Sequence, residues 1–237
     1  MIRLVLITVW MFVCCVAGFV LLLFRWGDLS LDRYFGQMFS WGGQRICGWK
    51  ISIENEQGLE QSGPCIFVVN HQSNLDTIPC GWVFPRRCII IGKKELLMIP
   101  LFGLFFAGAG NILLDRKKKS KAFGGLDQAV EIMKKRQASV WVFPEGTRNR
   151  TENLLQPFKR GAFYMALSAQ VPIVPVVIQP MGELLGIWKG RIRSGTIRMR
   201  VLPPISTQGL NMESLEAVQA ETHRQMKEAI LGLGTLP

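Results

Sequence analysis

Five consecutive apolar residues, Cys65-Ile66-Phe67-Val68-Val69, run straight into Asn70-His71-Gln72-Ser73-Asn74-Leu75-Asp76. A strand this short with no polar alternation has to be covered on both faces, as a central strand is in a sheet with helices on either side. The chain has only two histidines, and this strand delivers one of them at its end. Ser139 to Phe143 repeats the pattern, an apolar strand feeding Pro144-Glu145-Gly146-Thr147-Arg148. Further strands are expected over 50–54, 87–91, 110–116 and 171–178, and helices over 77–84, 122–133, 158–170 and 213–231. Pro172 and Pro175 argue for an edge or bulged position for the 171–178 strand. Residues 191–202 alternate basic and apolar like one or two exposed strands. Strands alternating with helical segments predict an α/β fold, a mixed central sheet flanked by helices, with ligands bound beyond the strand ends.

The start of the chain is different. No charged residue occurs from Leu4 to Phe24, and about 20 apolar residues suffice to cross a bilayer core. Arg3 before the run and Arg25-Trp26 after it fit interfacial anchors. The run is long and Val16-Ala17-Gly18-Phe19 is a poor cleavage site, so a retained segment is expected rather than a signal peptide. Leu31, Phe35, Met38, Phe39, Ile46 and Trp49 follow at helical spacing, with Gly42-Gly43 weakening the middle. That pattern suits an amphipathic helix or pair in the membrane surface, or a helix facing the core; two such helices in succession also suit a dip into one leaflet and back. The division expected is an N-terminal membrane-associated helical segment, residues 1–49, and a catalytic domain, residues 50–237. The apolar stretch from Lys93 to Gly110 is either core or the wall of an acyl-chain groove.

A formal charge of +11 calls for an acidic partner. The basic residues are scattered, carry no aromatic-interleaved motif and sit beside a membrane anchor, so anionic membrane lipid is expected and nucleic acid is not. The six cysteines, at 14, 15, 47, 65, 80 and 88, show no close-spaced metal pattern. Packed, reduced thiols in a cytosol-facing protein are the simplest account, with no disulfide and no metal cofactor. Cys65 and Cys80 lie near the histidine motif but read as inert core.

His71 and Asp76 are five residues apart, which places them about 140° apart on a regular helix. They meet only across a break. With His71 on the loop leaving the strand, Asp76 in the first helical turn and Ser73 or Asn74 as N-cap, the carboxylate reaches back to one ring nitrogen and the other faces the cleft. That is a base with its orienter, lacking a protein nucleophile. Arg116, at the end of the 110–116 strand, and Arg148 make a phosphate-bearing hydroxyl substrate the natural partner, because guanidinium groups fork onto phosphate; the alternative pairs Arg116 with Asp115 or Glu145 in structural ion pairs. Glycine at 146 lets the backbone approach a ligand closely.

With these blocks in this order, residues 65–205 resemble the glycerolipid acyltransferases, most closely the bacterial lysophosphatidate (1-acylglycerol-3-phosphate) acyltransferases. The likeness rests on Asn70-His71 with Asp76 as H-x-x-x-x-D, on Gly110 to Arg116 ending in Asp-Arg, on Phe143 to Arg148, and on the proline-containing Val171 to Val176. The resemblance implies transfer of a fatty acyl group from a coenzyme A or acyl-carrier-protein thioester to the free hydroxyl of lysophosphatidate. It implies His71 as base, Asp76 as orienter, and Arg116, Glu145, Gly146, Thr147 and Arg148 as substrate contacts. The expected location is the cell inner membrane, the catalytic domain facing the cytoplasm. Acylation of glycerol phosphate or another lysolipid is the alternative within this class; a non-catalytic basic membrane adaptor would leave His71 and Asp76 idle.

Overall fold

The structure, a computed structural model, describes residues 1–60, 63–114, 119–149, 154–186 and 191–234. Its strands are Trp49–Glu54 (β1), Ile66–Val69 (β2), Cys88–Lys93 (β3), Ile112–Leu114 (β4), Ser139–Val142 (β5), Ile173–Ile178 (β6), Leu185–Gly186 (β7), Arg191–Ile192 (β8) and Gly195–Val201 (β9). Seven of them form one sheet in the order β1-β9-β6-β2-β5-β3-β4, and β7 pairs with β8 in a separate hairpin. The five strands from β6 to β4 are mutually parallel, while β9 joins β6 antiparallel, so the sheet is mixed as expected.

The unbroken apolar run of β2 is explained by what lies on each side. Ile66 and Val68 face a cluster with Val140 and Val142 of β5, closed by three helices: Lys119–Arg136 (α5, through Met133), Gly161–Ala169 (α6, through Phe163) and Leu215–Leu233 (α7, through Met226). Phe67 and Val69 face the opposite cluster with Trp141, closed by Ser30–Cys47 (α2, through Phe39) and Thr77–Val83 (α3, through Ile78). All four β2 side chains are essentially inaccessible, and burying one such side chain contributes about 1.5–3 kcal/mol.

Of the two positions that the prolines allow, the strand takes the bulged one. β6 is interior, paired with β2 on one side and β9 on the other. Its missing donor falls where the β9 ladder is interrupted: regular pairing stops at Val176↔Val201, and the next bridge, Ile173↔Ile205, is offset by one residue. The bulge tolerates Pro175, whose carbonyl still accepts Leu202 N–H.

Ile2–Phe24 (α1) is long and apolar enough to cross a membrane, yet it does not stand apart. Ile7 and Cys14 join the core under α2 and α3, and Leu22 packs with Leu31 and with Phe105 of Phe102–Gly108 (α4). Arg3, expected at an interface, donates to Cys47 O at 2.9 Å and Ile192 O at 2.8 Å, closing the start of α1 onto the protein. The glycine pair that promised a weak middle in α2 is instead where neighbours enter: a Cβ at Gly42 would overlap the Trp10 indole, and one at Gly43 would meet Ile78 at 2.8 Å. The helix is therefore continuous. Its outer neighbour α1 turns Val5, Val9, Phe12, Val16 and Val20 to the exterior.

Candidate active site

Three adjacent strand ends build the site: β2 carries Asn70 and His71, β5 carries the 143–149 loop, and β6 ends at Ile178. Asn70 stitches β2 to β6, its side chain donating to Ile178 O at 2.9 Å and accepting Ile178 N–H at 2.8 Å. Gln72 extends the seam, donating to Gln179 O and accepting Met181 N–H. The backbone around His71 is thus held on the β6 side before chemistry is considered.

Asp76 meets His71 across a helix start. Ser73 is the N-cap, its hydroxyl accepting Leu75 N–H at 3.2 Å, and a single 3₁₀ turn, 74–76, leads into α3. Asp76 Oδ2 lies 2.8 Å from His71 Nδ1 and also accepts the N–H groups of Gln72 and Ser73 at 2.6 and 2.9 Å. Two backbone donors on one oxygen mark it as a carboxylate, so the proton between the side chains belongs to Nδ1 and the lone pair to Nε2. Asp76 is wholly buried, whereas the imidazole keeps 19% of its side-chain surface open.

The β5 loop fixes His71 from the other side. Glu145 Oε1 accepts His71 N–H at 2.8 Å, Asn149 N–H donates to His71 O at 2.7 Å, and Phe143 stacks on the imidazole with centroids 4.1 Å apart and planes 17° apart. The second oxygen of Glu145 accepts Gln156 N–H at 3.0 Å. Burial pushes the Glu145 carboxyl up, against the two backbone N–H groups that pull it down. Expected as a substrate contact, Glu145 is 1% exposed with both oxygens committed to the backbone; it shapes the site through the loops it joins. Gly146 turns the loop at φ +70°, a conformation that favours glycine. Thr147 is exposed, and half-buried Arg148 donates to Asn74 Oδ1 at 2.7 Å on the rim of the histidine loop. Arg116 lies outside the described residues.

The structure therefore brings together His71, Asp76, Glu145, Gly146, Thr147 and Arg148. Sequence reasoning gave no role to Asn70 and Gln72, which flank the histidine, or to Phe143, which opens the second motif. Among the described residues no group of three His, Cys, Asp or Glu side chains is placed to hold a metal ion. All six cysteines are buried. Burial pushes the Cys65 thiol up to about 12, and burial together with the Asp76 charge pushes Cys80 well up as well. Neither is a thiolate at neutral pH. Replacing Cys65 or Cys80 by Ala is expected to cost stability on the order of 1 kcal/mol while leaving turnover within about twofold; intact-protein mass spectra taken during turnover, if they show an acylated cysteine, overturn this.

Comparison with known proteins gives one family. The model of the family described as Acyltransferase matches residues 50–179. The 1-acyl-sn-glycerol-3-phosphate acyltransferase of Escherichia coli (strain K12) is 33% identical over 234 residues, covering 98% of this chain and 93% of that protein. A human relative, 1-acyl-sn-glycerol-3-phosphate acyltransferase beta, is 35% identical over 229 residues, covering 95% of this chain and 81% of that protein. In fold, the chain matches the crystal structure of the 1-acyl-sn-glycerophosphate acyltransferase from Thermotoga maritima with a TM-score of 0.75 at 23% identity, over 100% of this chain and 98% of that one.

Proposed function

This chain belongs to the acyltransferase family, and from that premise we propose that it acylates the free sn-2 hydroxyl of lysophosphatidate to give phosphatidate. The observation that carries the reading is His71, oriented by Asp76 at 2.8 Å and held by its own backbone N–H and C=O. The donor is a coenzyme A or acyl-carrier-protein thioester. As the substrate oxygen attacks the thioester carbonyl, His71 Nε2 takes the hydroxyl proton; the tetrahedral intermediate then expels the thiolate, and the imidazolium returns the proton to it. The acyl group passes directly to the acceptor, so no residue is covalently modified. The imidazolium is stabilised while it lasts by the Asp76 carboxylate behind it.

Arg148 and Arg116 are assigned to the phosphate, with Gly146 and Thr147 lining its approach. Arg148 spends one nitrogen on Asn74, and the rest of its planar fork suits a phosphomonoester. The test is acyl transfer by purified protein to lysophosphatidate and to a lysolipid lacking the phosphomonoester. Arg148→Ala is expected to lower efficiency on lysophosphatidate by roughly one to two decades, the equivalent of about 1.5–3 kcal/mol for a charged hydrogen bond, with Arg148→Lys restoring part. Equal slowing of both substrates removes the phosphate assignment; no transfer to lysophosphatidate by the wild type removes the function.

Residues 1–49 are assigned to membrane attachment and 50–237 to catalysis at the cytoplasmic face of the inner membrane. Because α1 also packs on the core, deleting it would disturb folding; its outward face is the better target. Changing Val9, Phe12, Val16 and Val20, which are 40–61% exposed, to Ser or Gln should release the protein from neutral liposomes at high salt, the remaining attraction to anionic lipid being salt-sensitive. Full sedimentation of that variant under those conditions places the anchor elsewhere.

A further inference from the structure

The chain's other histidine, His223, is half-buried on α7, its ring meeting Phe158 edge-on at 4.7 Å while the Gln156 main chain favours its charged form. Burial holds its pKa down, with the Lys227 charge adding to this, so at neutral pH it is an uncharged imidazole with one N–H to give. One helical turn before it, Gln219 donates to Phe158 O at 2.7 Å. Four residues apart, the two side chains form one face of α7, and both hold the same short segment, 156–158.

That segment has neither helix nor strand, so its path depends on the groups that hold it. It is also the segment on which the active-site loop rests. Gln156 N–H donates to Glu145 Oε2 at 3.0 Å, and Lys159 N–H donates to Pro144 O at 2.7 Å. From Glu145 the line continues to His71 N–H at 2.8 Å. A buried carboxylate with two backbone donors sits where those donors are; if Gln156 moves, Glu145 follows, and His71 loses the partner that sets its backbone.

We propose that His223 and Gln219 are positioning residues for the reaction: through Gln156 and Glu145, α7 sets the placement of His71 from the far side of the loop. This rests on His71 acting as the base. Neither residue touches substrate, so their effect belongs on kcat, because a base displaced by a fraction of an ångström meets the hydroxyl in fewer bound complexes.

The chain contains only these two histidines, which makes the test direct. With the full-length protein labelled with ¹⁵N-histidine in detergent micelles, His223→Phe keeps a ring against Phe158, removes the polar ring edge beside the Gln156 main chain and leaves His71 as the sole imidazole in the spectrum. Gln219→Met removes the second tie without touching a histidine. Both variants are expected to shift or broaden the His71 ring signals and to lower kcat about three- to tenfold, with KM for lysophosphatidate held within about twofold. His223→Gln, which retains a donor, should recover part of the loss. In a Glu145→Gln background His223→Phe should add little, since the line is already broken. His71 signals at wild-type positions in both variants overturn the proposal whatever the turnover, as does a His223→Phe loss of equal fold in the two backgrounds. Displaced His71 signals with wild-type turnover support the mechanical link and overturn His71 as the base, so the two readings fail separately.

Discussion

His71→Ala is expected to lower kcat/KM for acyl transfer by roughly 10²-fold or more, the range for loss of a general base, with little change in melting temperature. The imidazole supplies a single side-chain hydrogen bond to Asp76 and one face to Phe143; its backbone contacts, to Glu145 and Asn149, survive the substitution. Asp76→Asn should lower turnover severely by a different route. Oδ2 of Asp76 holds three donors, from His71, Gln72 and Ser73, and an amide oxygen holds them less strongly than a carboxylate does. The amide also cannot neutralise the imidazolium, and an amide nitrogen turned toward His71 would select the tautomer that leaves a proton on Nε2. Since Asp76 is fully buried and Oδ1 has no partner, the added NH₂ finds no acceptor there, and a stability loss of about 1–3 kcal/mol accompanies the kinetic one. Steady-state assays beside circular-dichroism melts separate the two effects. Turnover within tenfold of wild type in a folded His71→Ala protein would sink the mechanism.

The features visible in the sequence were those in which one residue type answers one local demand. β2 and β5 were legible because a strand buried on both faces leaves no room for polar alternation, and the His71–Asp76 contact because five residues on a helix point apart unless a cap interrupts them. Ser73 supplies that cap. What escaped notice depends on neighbours remote in the chain. Pro172 and Pro175 allowed an edge or a bulge because a proline lacks a donor; only the one-residue offset near Ile205 decides for the bulge and lets the strand lie inside the sheet. Arg3 beside an apolar run looked like an interfacial anchor, and the carbonyls that capture it, Cys47 and Ile192, belong to elements whose approach no spacing announces. Glu145 entered as a substrate contact through the resemblance alone; the two N–H groups that its oxygens accept lie 74 residues before it and 11 after, a distance no local pattern spans.

That direction makes Glu145 the second decisive position. In Glu145→Ala the N–H groups of His71 and Gln156 lose their acceptor in a site that is 1% exposed, and unsatisfied buried donors cost about 1–3 kcal/mol each. A melting-temperature drop corresponding to about 2–4 kcal/mol is therefore expected, and the His71 loop loses the tie that sets its height above β2. Turnover should fall by roughly one to two decades, since a displacement near 1 Å at a reacting group is enough for that. Glu145→Gln is the sharper variant: its volume is retained, one oxygen still accepts, and the new NH₂ is forced against whichever backbone N–H it faces. The kinetic signature distinguishes positioning from contact. If Glu145 acts by holding His71, kcat falls while KM for lysophosphatidate changes little, and a lysolipid without the phosphomonoester is slowed by the same factor. A carboxylate placed against the phosphate would instead repel it, so its removal would lower KM for lysophosphatidate alone. A phosphate-dependent change in KM for Glu145→Gln, measured across the two substrates, would show that the carboxylate swings out to meet substrate and that its inward bonds are those of a resting state.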